Sequence, residues 1–223
     1  MNEASLAGKS GPPVTARHKL LTAASLFEGD FTVDWLVELT GYKAHQILAE
    51  LQDEIKKTLS SPRLGIYSFL SEKKRKTWRA RLSRAEDDRL SRLIIEILVR
   101  DLPEGQDKWF RLSHYLLRIE NSLEQCRLLA RAGDVHRQAF QTEKAFQCFH
   151  KVLENLQDAA DEEADNLFLD TAIKYSKIST ARHGTERVLD MLRRALSRAK
   201  ARENLPFQAQ LEMHLAKNEW LRA

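Results

Sequence analysis

Cysteine, proline and glycine are scarce in this sequence, at two, five and eight of 223 residues. Cys126 and Cys148 have neither a disulfide companion nor metal-ligand spacing, and both stand inside apolar helical patterns. They read as buried free thiols of a reducing compartment, the cytoplasm. No run approaches 18 consecutive apolar residues, which excludes a membrane-spanning helix. The first fourteen residues lack the apolar centre of a signal peptide and, with Gly8, Gly11, Pro12 and Pro13, read as a flexible leader.

The chemistry of catalysis is missing as well. Gly8-Lys9-Ser10 imitates the end of a phosphate-binding loop, but Glu3 stands where the first glycine belongs and no strand precedes it. The seven histidines, His18, His45, His114, His136, His150, His183 and His214, include no pair at i, i+3 or i+4, so no helical face offers two metal ligands. No serine sits in a nucleophile elbow, and the carboxylates from Asp158 to Asp165 read as a solvated patch. The expectation is a non-enzyme with no cofactor and no metal.

What is abundant is Leu, Ala, Glu, Lys and Arg, which favours helix. Hydrophobic residues at 43% against 30% charged place the chain among folded proteins rather than disordered ones. The net charge of +4 is local. The run from Lys73 to Arg84 holds seven cations (Lys73, Lys74, Arg75, Lys76, Arg79, Arg81 and Arg84) and no acid. It is a candidate surface for an anionic partner, with a plain solvated helix face as the simpler reading.

Periodicity predicts helices over residues 17–27, 33–40 and 43–58, then a β-hairpin over 63–70 turning at Gly65. A continuous helical pattern follows from Glu72 to Val99, and Leu102-Pro103-Glu104-Gly105 marks a hinge. Beyond it come helices over 109–119, 122–138, 142–156, 164–182, 186–203 and 207–221, with short gaps that imply antiparallel neighbours. The stretch Glu143–Leu153 aligns with Glu186–Leu196, matching small, large and small apolar positions in the manner of a tetratricopeptide second helix. The fold expected is mainly α: a leader (1–14), a winged-helix-like domain with a small β-hairpin (15–71), connecting helices (72–102) and a tetratricopeptide-like helical array (103–223).

In that order the elements resemble the region that follows the nucleotide-binding core in bacterial STAND-type signal-transduction ATPases. Leu20–Phe31 is similar to the family's opening winged-helix segment, Leu36–Gly41 to its second helix and Ile66–Phe69 to its wing strand. Leu112–Leu116 is similar to the helix that opens the array, and Arg131–Leu156 to its first full repeat. Leu70-Ser71 stands where the family usually has a histidine, and Ile119-Glu120-Asn121 where it often has Ala-Gly-Asp. The resemblance covers residues 17–156. It implies a winged helix that docks on an ATPase module of the parent polypeptide and an array that binds a protein or peptide partner. By position in the first helix of each pair, Arg127, Arg131, Lys174 and Tyr175 are the candidate groove residues. The rival readings are a DNA-binding winged-helix protein with a helical homodimerisation domain, and a small-molecule sensor pocket within the array.

Overall fold

The hydroxyl of Thr15 accepts the backbone N–H of His18 and starts the first helix, α1 (Ala16–Ala24). In the computed structural model, which describes residues 15–159, 161–178 and 185–220, most residues from there on are helical. The expected leader, with its Gly8-Lys9-Ser10, lies outside the described residues. The chain divides into two units between Ile94 and Ile95.

In the first unit, β1 (Phe31–Thr32) leads directly into α2 (Val33–Thr40), capped by Thr32 and ended by Gly41 at φ 71°. Next comes α3 (Ala44–Glu54), which stops before the expected Thr58 because Ile55 turns extended and Lys56 takes φ 69°. The strands β2 (Leu59–Arg63) and β3 (Ile66–Phe69) join through Gly65 at φ 76°. They form an antiparallel sheet in the order β1-β3-β2, with Phe31 opposite Tyr67 and Leu59 opposite Phe69. Pro62 lies inside β2. An edge strand tolerates it, and the register shifts between Ser60 and Arg63. Leu20, Leu21, Phe27, Leu36, Ile47, Leu51 and Leu59 form the core, where Phe27 lies against Phe31 at 5.7 Å and Trp35 at 5.4 Å.

The helix expected from Glu72 to Val99 is two helices, α4 (Glu72–Arg79) and α5 (Arg84–Asp101). Ser83 makes the break. Its hydroxyl accepts the Glu86 N–H at 3.3 Å, and the Glu86 carboxylate accepts the Ser83 hydroxyl at 2.8 Å. The boundary between the units falls within α5.

The second unit continues with α6 (Gln106–Leu116), α7 (Leu123–Gln138), α8 (Thr142–Leu156), α9 (Glu162–Ile178), α10 (Thr185–Ala201) and α11 (Leu205–Trp220). From α6 onward each helix packs on the next, α7 also touches α9, and α9 touches α11. Alternate helices in a row are the arrangement of a helical repeat. The expected ends at Arg182 and Leu221 lie outside the described residues. The aligned pairs Ala145 and Val188, Phe149 and Leu192, and Val152 and Ala195 are all fully buried, on α8 and α10. Burying each large one contributes about 1.5–3 kcal/mol. The Phe149 ring lies where Gly133 leaves room: a Cβ on Gly133 would stand 2.6 Å from it.

Several buried polar groups of this unit are partnered across helices. Asp165 meets Arg198 at 2.6 Å and Arg202 at 2.7 Å. Arg198 also donates to the Leu156 carbonyl at 2.9 Å, so one guanidinium serves the end of α8, the start of α9 and the body of α10. His136 sits between Ser113 and Gln141, each at 2.8 Å, and His214 lies 3.1 Å from Ser176. Burial lowers the pKa of both imidazoles. Cys126 and Cys148 are free and buried, and burial pushes their thiols up to about 11 and about 12. Among the described residues, no helix is long and apolar enough to cross a membrane.

Candidate partner-binding face

Ser122 fixes the start of α7: its hydroxyl accepts the Gln125 N–H while the Gln125 side chain accepts the Ser122 N–H. With Cys126, Leu129, Ala130 and Gly133 turned inward, the helix presents Arg127, Arg131 and Asp134 on another face. On α9 the inward set is Phe168, Leu169, Ala172, Ile173 and Tyr175, leaving Glu163, Asp170 and Lys174 on the side toward α7.

The two faces are tied by ion pairs. Arg127 pairs with Glu163, and Lys174 donates to Asp134 at 2.8 Å and reaches Asp170 at 2.9 Å. Burial by itself would lower the Lys174 pKa. The hydrogen bonds and charges of Asp134 and Asp170 outweigh that and hold it above its ordinary value. Arg131 lies 4.4 Å over the Trp109 ring and pairs with Glu104 at 3.2 Å. Lys108 also bonds Glu104, and that contact keeps the carboxyl below its usual range.

Three of the four groove candidates, Arg127, Arg131 and Lys174, therefore share one polar face. Tyr175 does not. It is fully buried, stacked on Phe146 at 4.5 Å and His150 at 5.8 Å, and desolvation raises its phenol to about 12. The acids Asp134, Glu163 and Asp170 complete the face and escaped the sequence reading. Only Asp170–Lys174, at i and i+4, carries a local signal.

The run Lys73–Arg84 does not form one basic surface. Arg75 is 7% exposed and turned inward. It donates to Glu72 at 2.8 Å, to Glu28 at 3.2 Å and to the Ser25 carbonyl at 3.2 Å, tying α4 to the end of α1. Arg79 pairs with Asp87 at 3.3 Å, and Arg81 lies 4.1 Å over Trp78. Lys74 donates to the Lys57 carbonyl, and Lys76 reaches Glu72 at 3.8 Å. Lys73, Lys74, Lys76, Arg81 and Arg84 stay exposed. No group of three His, Cys, Asp or Glu side chains among the described residues could hold a metal ion.

No protein-family model matches the chain, and no curated protein matches it. Among solved structures it is similar to a signal-transduction ATPase with numerous domains (STAND) that has a tetratricopeptide repeat sensor, from Pyrococcus horikoshii. The identity is 12%, the TM-score 0.36, and the match covers 92% of this chain and 47% of that one. The chain thus spans about half the length of the protein it matches.

Proposed function

We propose that the chain is a non-catalytic regulatory module that binds a protein or peptide through the face shared by α7 and α9. The observation that carries this reading is the face itself, where Arg127, Arg131 and Lys174 alternate with Glu163, Asp134 and Asp170 on neighbouring helices. Charges of both signs laid out in a fixed pattern select a complementary charged segment and orient its approach. A row of alternate helices repeats such a face along the unit, as helical arrays do for extended partners.

In the same reading the second unit is a tetratricopeptide-like array and the first a winged-helix domain. The order helix, strand, helix, helix, hairpin and the strand order β1-β3-β2 support this. So does the resemblance of residues 17–156 to the STAND ATPases. The winged helix then docks on an ATPase module of a parent polypeptide, in cytoplasmic signal transduction or transcription control.

A library of displayed linear peptides, selected against the full chain, tests the face. Enriched peptides are expected to lose about tenfold in affinity by calorimetry when Arg127→Glu or Arg131→Glu reverses a charge. No enrichment, or binding indifferent to both changes, removes the face as the site.

The exposed Lys73, Lys74 and Lys76 favour duplex DNA as a second reading. Against it, α3 carries Glu50, Asp53 and Glu54 and no Lys or Arg, a poor composition for reading a groove between phosphates. A gel shift at moderate salt decides: retardation lost on neutralising the three lysines supports DNA, and absence of retardation removes it.

A further inference from the structure

The first unit contains a cleft of about 480 Å³ bounded by α1, the end of α2 and the α4–α5 junction. That volume falls in the range of about 300–1,000 Å³ usual for small-molecule sites. Its apolar surface comes from Ala23, Leu39, Leu82 and Leu90, of which all but Leu82 are buried. Three permanent cations, Lys19, Arg81 and Arg89, line it against a single carboxylate, Glu86.

That carboxylate is already engaged. Its hydrogen bonds to the Ser83 side chain and backbone hold its pKa below the ordinary value. Lys19 and Arg89 are exposed, and Arg89, three residues on from Glu86, also acts on that carboxylate and helps hold its pKa down. Arg81 is held in place on the Trp78 ring at 4.1 Å, beside His18, whose ring meets Trp78 edge-on at 5.0 Å. A guanidinium fixed in this way can bind an anion with little further ordering. Three like charges around one concavity repel, and an anion bound among them relieves that repulsion.

We infer that this cleft binds a small amphipathic anion. Its apolar body lies over Leu39, Leu82 and Leu90, and its carboxylate, phosphate or sulfonate sits among Lys19, Arg81 and Arg89. The site is separate from the peptide-binding face, so either can fail while the other stands.

The probe is 8-anilinonaphthalene-1-sulfonate, titrated into the full chain and followed by its fluorescence. One saturable site is expected, weakened roughly tenfold by the double change Lys19→Glu and Arg89→Glu. N-phenyl-1-naphthylamine has the same rings without the sulfonate. It is expected to bind more weakly and to ignore the charge reversal. Both cations are exposed, so the unfolding midpoint is expected to stay in place. Should reversal loosen the fold, Lys19→Gln and Arg89→Gln still decide, each expected to weaken the sulfonate about threefold. Absence of a saturable site, or sulfonate binding that none of these changes alters, overturns the inference.

Discussion

At the scale of the residue, one missing methyl group decides how closely α7 and α8 approach. In an exposed helix, replacing glycine by alanine stabilises by about 1 kcal/mol. At Gly133 the sign is expected to reverse, because the new Cβ would stand 2.6 Å from a fully buried Phe149 ring that has nowhere to move. Gly133→Ala is expected to destabilise by about 1–3 kcal/mol, read from the midpoint of urea unfolding. The glycine is plain in the sequence, in Ala132-Gly133-Asp134, but its purpose is not, because the ring it accommodates is sixteen residues away. Tyr175 shows the opposite limit. Neighbouring residues on a helix point about 100° apart. Lys174 and Tyr175 thus cannot both face one groove, and the phenol is the one turned inward. Arg75 likewise belongs to a run of cations by sequence and to a buried ion-pair cluster by structure.

At the scale of the element, the break between α4 and α5 carries a short-range signal that the apolar pattern hides. Ser83 and Glu86 are three residues apart, and that pair splits one long apolar pattern into α4 and α5. The pattern alone reads through the break, because its spacing resumes almost in phase. A two-residue strand such as β1 has no period to detect, and its pairing with β3 reaches 36 residues along the chain. Arg198 is an element-scale contact of the same non-local kind. Its partners are Asp165, 33 positions back, and the carbonyls of Leu156 and Gln157 at the end of α8, 42 and 41 positions back. Arg198→Gln leaves a 4% exposed carboxylate short of one cation, and a loss of about 3 kcal/mol is expected in chemical unfolding. Arg193→Gln, whose partners Asp190 and Glu219 are exposed, is the matched control, with an expected loss below about 1 kcal/mol.

At the scale of the whole molecule, the mainly helical class and the array were legible because long amphipathic segments with short gaps leave few alternatives. The two units are expected to differ in how they respond to acid. His136 and His214, whose pKa values are lowered by burial, both belong to the second unit. Lys144 is the charge acting on the first, and Lys177 and Lys217 on the second, all opposing protonation. An imidazole with a depressed folded pKa binds fewer protons folded than unfolded. Stability is therefore fully present above about pH 6.5 and falls as pH drops from there toward the folded values. The carboxylates lowered in the first unit, Glu72 and Glu86, lose their contribution only as pH falls below the ordinary glutamate value of 4.5. Acid unfolding is expected to begin in the second unit, in the window that opens downward from about pH 6.5. Urea midpoints across that window check it, and His136→Gln with His214→Gln is expected to flatten the slope.

The stacking of Arg131 on Trp109 gives the protein an optical property of its own. An indole's emission responds to the charge beside it, and here that charge sits 4.4 Å above the ring, on a side chain of the polar face. A ligand that draws the guanidinium toward itself removes the cation from the chromophore. A partner arriving at the proposed face is thus expected to shift the emission, readable without a label, with Trp109→Phe as the blank.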